Sequence, residues 1–517
     1  MQRQPEHRPG SQKRGLGTLP RRLVGRRELL RLAAGAVTVG AVGGGLILPR
    51  GFTRRAAAAE SLVEPEVRAS RDGLLDTTLE ASVRSLQVAG QAATMALYEG
   101  SLPGPTLRVR PGDRLRVNLV NSLPPDAAFL CPLPSSDQAS DAMHEMSCAT
   151  NLHVHGLHVS PLGNSDNIFL NIDPGERFQY EYQIPADHPP GLYWYHPHVH
   201  GSVHTQLFAG MAGAIIIEGE LDRLPGIAGL RERLLMLQTT QFAADGTVLP
   251  QEDPDARQSD YLRLVNGQLN PTMTIAPGET QRWRIGNASP STTFRLQLDG
   301  HPLQQIAKDG NPFSAVWTRE AIELHPAERV EILVQGGAPG SYALRTLPIA
   351  TGFTTQAATI LATLTSSGDP VTPQPLPATL LAFDDLRTLP VDRHRQITFQ
   401  VLSPIGPGVS TFPISGQLFD ADRIDAQVRL NTTEEWVIRN ASTVWHPFHI
   451  HINPYQVTAV NGAAVPMRSY EDTTGVPPLG EITIRTRFLD YPGKWVYHCH
   501  IALHEDGGMM GTVLAEG

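Results

Sequence analysis

Runs in which apolar and polar residues alternate recur along the 517-residue chain. "RLRVNLV" (114–120) and "TIRTRF" (483–488) set core-type side chains beside solvent-type ones, and "GAIIIEG" (213–219) is an apolar run closed by glycines. A period of two marks strands, whose successive side chains point to opposite faces. The 43 prolines and 47 glycines spread between such runs supply turns and disfavour long helices. The pattern predicts an all-β protein. Its length exceeds what one hydrophobic core organises and implies about three domains of ordinary size.

Residues 1–59 stand apart from this pattern. "GRRELLRLAAGAVTVGAVGGGLIL" places Arg26 and Arg27 ahead of an apolar stretch rich in Gly and Ala, and "RAAAAES" offers small residues for cleavage near Ala59. The arrangement resembles a twin-arginine export signal, and the apolar stretch is short for a membrane anchor. The expectation is a cleaved leader, a periplasmic or extracellular mature protein, and no stable membrane insertion. Removing the leader changes the electrostatics, because it holds 12 Lys+Arg and only 2 Asp+Glu; the remainder has 30 basic and 49 acidic residues, a formal net charge of −19. So acidic a chain argues against nucleic acid or anionic lipid as a partner.

The histidines carry the chemistry. With 19 His in 517 residues, chance placement yields ~1 His-x-His triplet. The chain has five, at 153/155, 196/198, 198/200, 449/451 and 498/500. On a strand, residues two apart share a face, so each triplet presents two imidazoles side by side, as a metal cluster requires. In "VYHCHIALHEDGGMM" (496–510), His498 and His500 face one way and Cys499 the other. In "HPFHIH", His446 has opposite parity to His449 and His451 and therefore belongs on the cysteine side. One thiolate, imidazoles from His446 and His504, and a weak axial thioether from Met509 form the donor set of a blue-copper electron-transfer site. Met510 is the alternative axial donor. A structural zinc site would use more thiolates than the single one here.

Internal repeats place these groups. "GLYWYHPH" (191–198) and "GKWVYHCH" (493–500) share a frame, with Pro197 standing where the later copy has Cys499. "TQRWRIGNAS" (280–289) matches "TEEWVIRNAS" (433–442), yet "TTFRLQLDG" follows the first and the ligand-bearing "HPFHIHINP" the second. The chain reads as a leader (1–59) and three β-sandwich copies, 60–220, 221–377 and 378–517, the third entered through the Pro-rich "SSGDPVTPQPLP". The first and third copies each carry two histidine pairs and the middle one carries none. Eight imidazoles meet only at an interface between the first and third domains.

"HVHG", "HPH", "HPFHIH" and "HCHIALHEDGGM" together resemble the four copper-binding motifs of the multicopper oxidases, and the three repeats are similar to that family's cupredoxin Greek-key sandwiches. The resemblance covers nearly all of the mature chain and takes in both laccase-like and copper-efflux-oxidase-like bacterial members. It implies four copper ions: type 1 held by His446, Cys499, His504 and Met509; type 2 by His153 and His449; and a type 3 pair by His155, His196, His198, His451, His498 and His500. It further implies that a small-molecule or metal-ion donor gives single electrons to type 1 copper, that Cys499 conducts them to the cluster, and that O2 is reduced there to water. Glu505, after His504, and Asp166, in "HVSPLGNSDN", resemble acidic residues that deliver protons in such enzymes.

The implied activity is oxidation of phenols or aromatic amines. A Cu(I) or Fe(II) oxidase of metal resistance is the alternative, although only 10 Met occur and without a Met-rich run. Complete ligand motifs argue against a non-catalytic, cell-division-associated relative, and eight cluster histidines against a two-domain nitrite reductase. Met143, His144 and Met146 in "DAMHEMSC" form either a solvated loop or a substrate-copper site. His158, His200 and His204 flank the motifs as supporting or surface residues. Asp472 in "SYEDTTGVPP" is either a turn cap or a substrate-orienting group. Cys131 and Cys148 bracket a polar loop, as a disulfide or as two free thiols.

Overall fold

The computed structural model describes residues 60–127, 129–130, 148–249, 261–350, 355–402, 410–467 and 469–517. Among these residues strands make up 51% and helix 4%. The strands between Val67 and Ile217, between Arg231 and Ser366, and between Arg393 and Glu516 form three consecutive pairs of packed sheets. Neighbours within a sheet are mostly not consecutive in sequence, as Greek-key sandwiches require. The period-two expectation holds at residue level: in Arg114–Ser122, Leu115, Val117 and Leu119 are buried and the residues between them are partly exposed. Each sheet pair closes over its own core, around Leu79 and Tyr182, Trp283 and Ile332, and Trp436 and Trp495.

The first and third sandwiches set their histidine strands side by side in the same way. His153–His155 lies beside Gly191–His196, with His153 directly opposite His196. In the third, His446–Ile450 lies beside Gly493–Cys499, with His449 opposite His498 and Phe448 opposite Cys499. Directly opposed residues have Cβ atoms about 4.5–5.5 Å apart, so backbone pairing alone brings each domain's imidazoles together.

Contacts away from the histidines help fix the sandwiches to one another. An apolar seam joins the first to the second, with Leu192 and Trp194 against Leu234, Met236 and Ala288. Ile168 of the first meets Val496 and Met510 of the third. Also between the first and third, Asp506 accepts hydrogen bonds from the backbone N–H groups of Gly201 (2.8 Å), Val203 (3.3 Å) and His204 (2.7 Å), at the start of the short helix Val203–Phe208. Within the second sandwich the buried Arg284 pairs with Glu232 and Glu331, and also with Asp222.

The proposed leader, and Met143, His144 and Met146, lie outside the described residues. Cys148 is buried and disulfide-bonded, whereas Cys131 also falls outside them. Among the described residues no helix is long and apolar enough to cross a membrane.

Candidate metal centre

Two buried donor clusters lie on opposite faces of the strand Gly493–Cys499 and the segment after it, as its parity requires. On the inner face, Cys499 Sγ is 3.4 Å from His446 Nδ1 and 3.7 Å from His504 Nδ1, and the two imidazole nitrogens are 3.2 Å apart. Donors about 2.0–2.3 Å from one ion in a trigonal plane stand about 3.5–3.8 Å from one another. The triangle is close to that size. Burial pushes the Cys499 thiol up and the His446 imidazole down to about 3. A thiol kept protonated in this way loses its proton to a coordinating metal. Ser442 Oγ lies 2.8 Å from the far nitrogen of His446 and holds the ring. Ser442 Oγ is also 2.8 Å from Asn440 Oδ1, and the matching Ser289 of the second sandwich donates to Asn287 Oδ1 (2.6 Å) but has no histidine to orient.

Met509 joins the core that contains Cys499, and the Cys499 N–H donates to the Met509 carbonyl (3.1 Å). Met510 packs on the other side against Ile168 and Val496. The alternation that separates Cys499 from its flanking histidines therefore separates the two methionines as well.

Across the interface, eight histidines gather from the first and third sandwiches. His153 stacks on His451 at 4.0 Å and His155 on His449 at 3.8 Å, each pair crossing between domains. His198 Nε2 and His451 Nε2 each lie 3.2 Å from His498 Nε2. His500 sits 4.9 Å from His155 and 5.2 Å from His196, centroid to centroid. Burial, and then repulsion among the neighbouring imidazoles, holds His153, His451 and His500 well below the ordinary imidazole range. They are neutral donors.

The hydrogen bonding has the asymmetry of metal ligands. One ring nitrogen is held from behind in each of four cases: His153 Nδ1 by Asp166 (2.9 Å), His155 Nε2 by Asp472 (3.1 Å), His196 Nδ1 by the Pro197 carbonyl (2.9 Å) and His449 Nδ1 by the Asp472 carbonyl (2.8 Å). The other nitrogen of each, Nε2 of His153, His196 and His449 and Nδ1 of His155, is buried with no partner. Unpaired buried nitrogens are costly, and fixing the outer nitrogen is how proteins orient a ligating imidazole. The donor set fits copper on both faces.

Carboxylates ring the cluster. Besides His153, Asp166 accepts from the Val154 N–H (3.1 Å), and burial raises its carboxyl to about 8. Glu505 lies 3.1 Å from His498 Nδ1 and 3.4 Å from His198 Nδ1. Burial alone would raise its carboxyl, but those imidazoles outweigh it and hold it at about 2. Asp472 corrects the sequence reading, because it is neither a turn cap nor at a substrate surface; it is buried against His155 and paired with Arg329 of the second sandwich. Arg329 and Asp309, which adjoin it, were not singled out from sequence. The available signal was a charged residue at a buried strand position in "RVEILV", which reveals burial but no partner. Of the flanking histidines, His204 is buried, His200 is exposed, and His158 donates to the Ile452 carbonyl (2.8 Å) across the first and third sandwiches.

Three multicopper oxidase family models match the chain, over residues 81–131 with 142–222, over 231–367 and over 390–516. The chain belongs to the multicopper oxidase family. It is similar to a multicopper oxidase of Staphylococcus haemolyticus, 27% identical over 87% of this chain and 92% of that one. A laccase of Bacillus stratosphericus is 26% identical over 80% and 89%. Among solved structures, a multicopper oxidase from Campylobacter jejuni, a metallo-oxidase, superposes with a TM-score of 0.71 at 26% identity, covering 89% of this chain and 95% of that one. This oxidase is thus a copper-dependent oxidoreductase that takes O2 as acceptor.

Relative to a side chain that does not coordinate, an axial thioether donates electron density to the oxidised ion and lowers the potential. In the copper-loaded enzyme, Met509→Leu is expected to raise the potential of the site at Cys499 and Met510→Leu to leave it unchanged, as measured by redox titration of the visible absorption. A shift on Met510→Leu alone would move the axial position to that residue.

Proposed function

We propose that this enzyme couples one-electron oxidation of phenolic or aromatic-amine donors at the Cys499 site to reduction of O2 to water at the interface cluster. The reading assigns four coppers: a type 1 ion to His446, Cys499, His504 and Met509, a type 2 ion to His153 and His449, and a type 3 pair to His155, His196 and His500 and to His198, His451 and His498. Copper, when bound, supplies the one-electron redox chemistry that no side chain here provides. What carries the reading is Cys499, whose thiol faces the inner triangle while its covalent neighbours His498 and His500 face the cluster. One short stretch of chain links donor site and O2 site.

The surroundings of His504, the triangle ligand that is not fully buried, support the organic donor class. Phe412 stacks on it at 4.4 Å and 26°. Leu418, 44% exposed, packs over Gly508. A side chain at Gly508, where φ is +103°, would be strained and would meet Leu418 at 2.8 Å. An apolar, aromatic edge beside the ligand suits a planar organic donor, whose ring can lie against Phe412 and His504. Copper(I) and iron(II) are the competing donors. O2 uptake by the copper-loaded enzyme, with a phenol, an aromatic amine, Cu(I) and Fe(II) side by side, is expected to be fastest with the organic donors; faster uptake with either metal ion would make this a metal oxidase.

Proton supply falls to Glu505 and Asp166, which touch the outer nitrogens of His498 and His153. Each is placed to pass protons toward the cluster without occupying it. Glu505→Gln and Asp166→Asn keep the shape and remove a carboxylate that can take up and release a proton. Each is expected to slow reoxidation of the reduced enzyme by O2 by about 10²-fold or more, with copper content and blue colour retained. Unaltered reoxidation in both variants would remove them from the proton path. The protein is further proposed to be exported by the twin-arginine route, so the mature N-terminus should follow Ala59. Intact residues 1–59 on the exported protein would refute cleavage.

A further inference from the structure

The second sandwich holds no ligand, yet one of its side chains ends at the cluster. Arg329, buried in the strand Arg329–Gln335, donates through Nη1 to Asp472 Oδ1 (2.8 Å) and through Nη2 to Oδ2 (2.5 Å). This is a fork-to-fork pair of the strongest class. Asp472 in turn holds His155 through Oδ1 (3.1 Å) and His449 through its backbone carbonyl (2.8 Å). Thr473 Oγ1 closes the arrangement, donating to Asp472 Oδ1 (2.8 Å) and lying 3.2 Å from His155 Nε2 and 3.3 Å from His449 Nδ1.

The guanidinium is itself held. Its Nη1 also donates to the Ala327 carbonyl (2.9 Å) and its Nε to the Leu192 carbonyl of the first sandwich (3.3 Å). Asp309 accepts from the backbone N–H of Arg329 (2.9 Å) through Oδ1, and from those of Thr473 (3.2 Å) and Asp472 (3.4 Å) through Oδ2. Room for the pair comes from Gly156, the glycine of "HVHG". A Cβ there would fall 2.4 Å from Asp472 Oδ2 and 2.7 Å from Arg329 Nη2, at a φ of +86°.

We infer that Arg329 is a positioning residue for the oxygen-reducing centre: through Asp472 it sets the orientation of His155 from the first sandwich and His449 from the third, so the ligand-free domain tunes the cluster that the other two build. The inference rests on the cluster reading above. One side chain contacts both ligand-bearing domains, and it joins a histidine of the type 3 set to one of the type 2 set. A buried ion pair contributes little net stability for the desolvation it costs, whereas outer partners of ligating histidines govern metal affinity strongly.

The test uses the copper-loaded mature enzyme titrated with EDTA, following the blue absorption and total copper separately, with the paramagnetic resonance of the type 2 ion and the thermal midpoint recorded alongside. Arg329→Gln is expected to lose cluster copper at a ~10–100-fold lower chelator concentration, with the blue site retained and the type 2 resonance altered. Arg284→Gln removes an equally buried guanidinium of the same domain away from the cluster; it should lower the thermal midpoint and leave the chelator profile unchanged. Arg329→Gln combined with Asp472→Asn removes both halves of the fork pair, leaving only Asp309, 3.4 Å from Nη1, without that cation, and should recover most of the midpoint without recovering cluster copper. Copper retention restored together with the midpoint would make the pair merely structural and overturn the inference, as would an Arg329→Gln profile equal to that of the unmutated protein. An unmutated enzyme with no copper beyond the blue site would overturn both the cluster reading and the inference.

Discussion

Eight imidazoles packed at one domain interface, several with a ring nitrogen that has no protein partner, are the constraint around which the structure is organised. Buried polar atoms left unpaired oppose folding, and neutral imidazoles in mutual contact leave no room for protonation to relieve them. Metal ions convert that cost into binding. The arrangement follows from strands pairing in register: His153 against His196 and His449 against His498 bring the donors together inside each domain, and domain docking stacks His153 on His451 and His155 on His449. Sheet pairing does the local assembly and the interface completes it.

Strand parity also accounts for the separation of two chemistries across a few residues. Cys499 faces the core of the third sandwich, whereas His498 and His500 face the interface, so a one-residue step changes both the ligand type and the compartment. The same step separates Met509 from Met510. Nothing longer than one strand is needed to place the thiol triangle beside the histidine cluster.

Those features were legible in the sequence because they depend on local period. The triplets, the opposite parity of His446 and the missing ligands of the middle repeat all follow from side chains two apart sharing a face. Contacts across domains were not legible. Asp472 stands out in the sequence without its role, since its partners are His155 and Arg329, hundreds and more than a hundred residues away, and no periodicity encodes a contact set by docking. Arg329 looked like a charge in a strand, and only the tertiary structure brings it to the cluster. The role of the middle domain was hidden for the same reason: its repeat had lost the ligand motif, while its supporting side chain acts through a residue of another domain.

Under the proposed function, electrons taken one at a time at the Cys499 site are delivered together to O2 at the interface. The direct measurement is the stoichiometry of turnover, with donor oxidised, O2 consumed and hydrogen peroxide formed counted in the same reaction. Four donor electrons per O2, with no peroxide released, is the predicted result. Two electrons per O2 with peroxide accumulating would contradict it, because the histidine cluster would then not be completing the reduction.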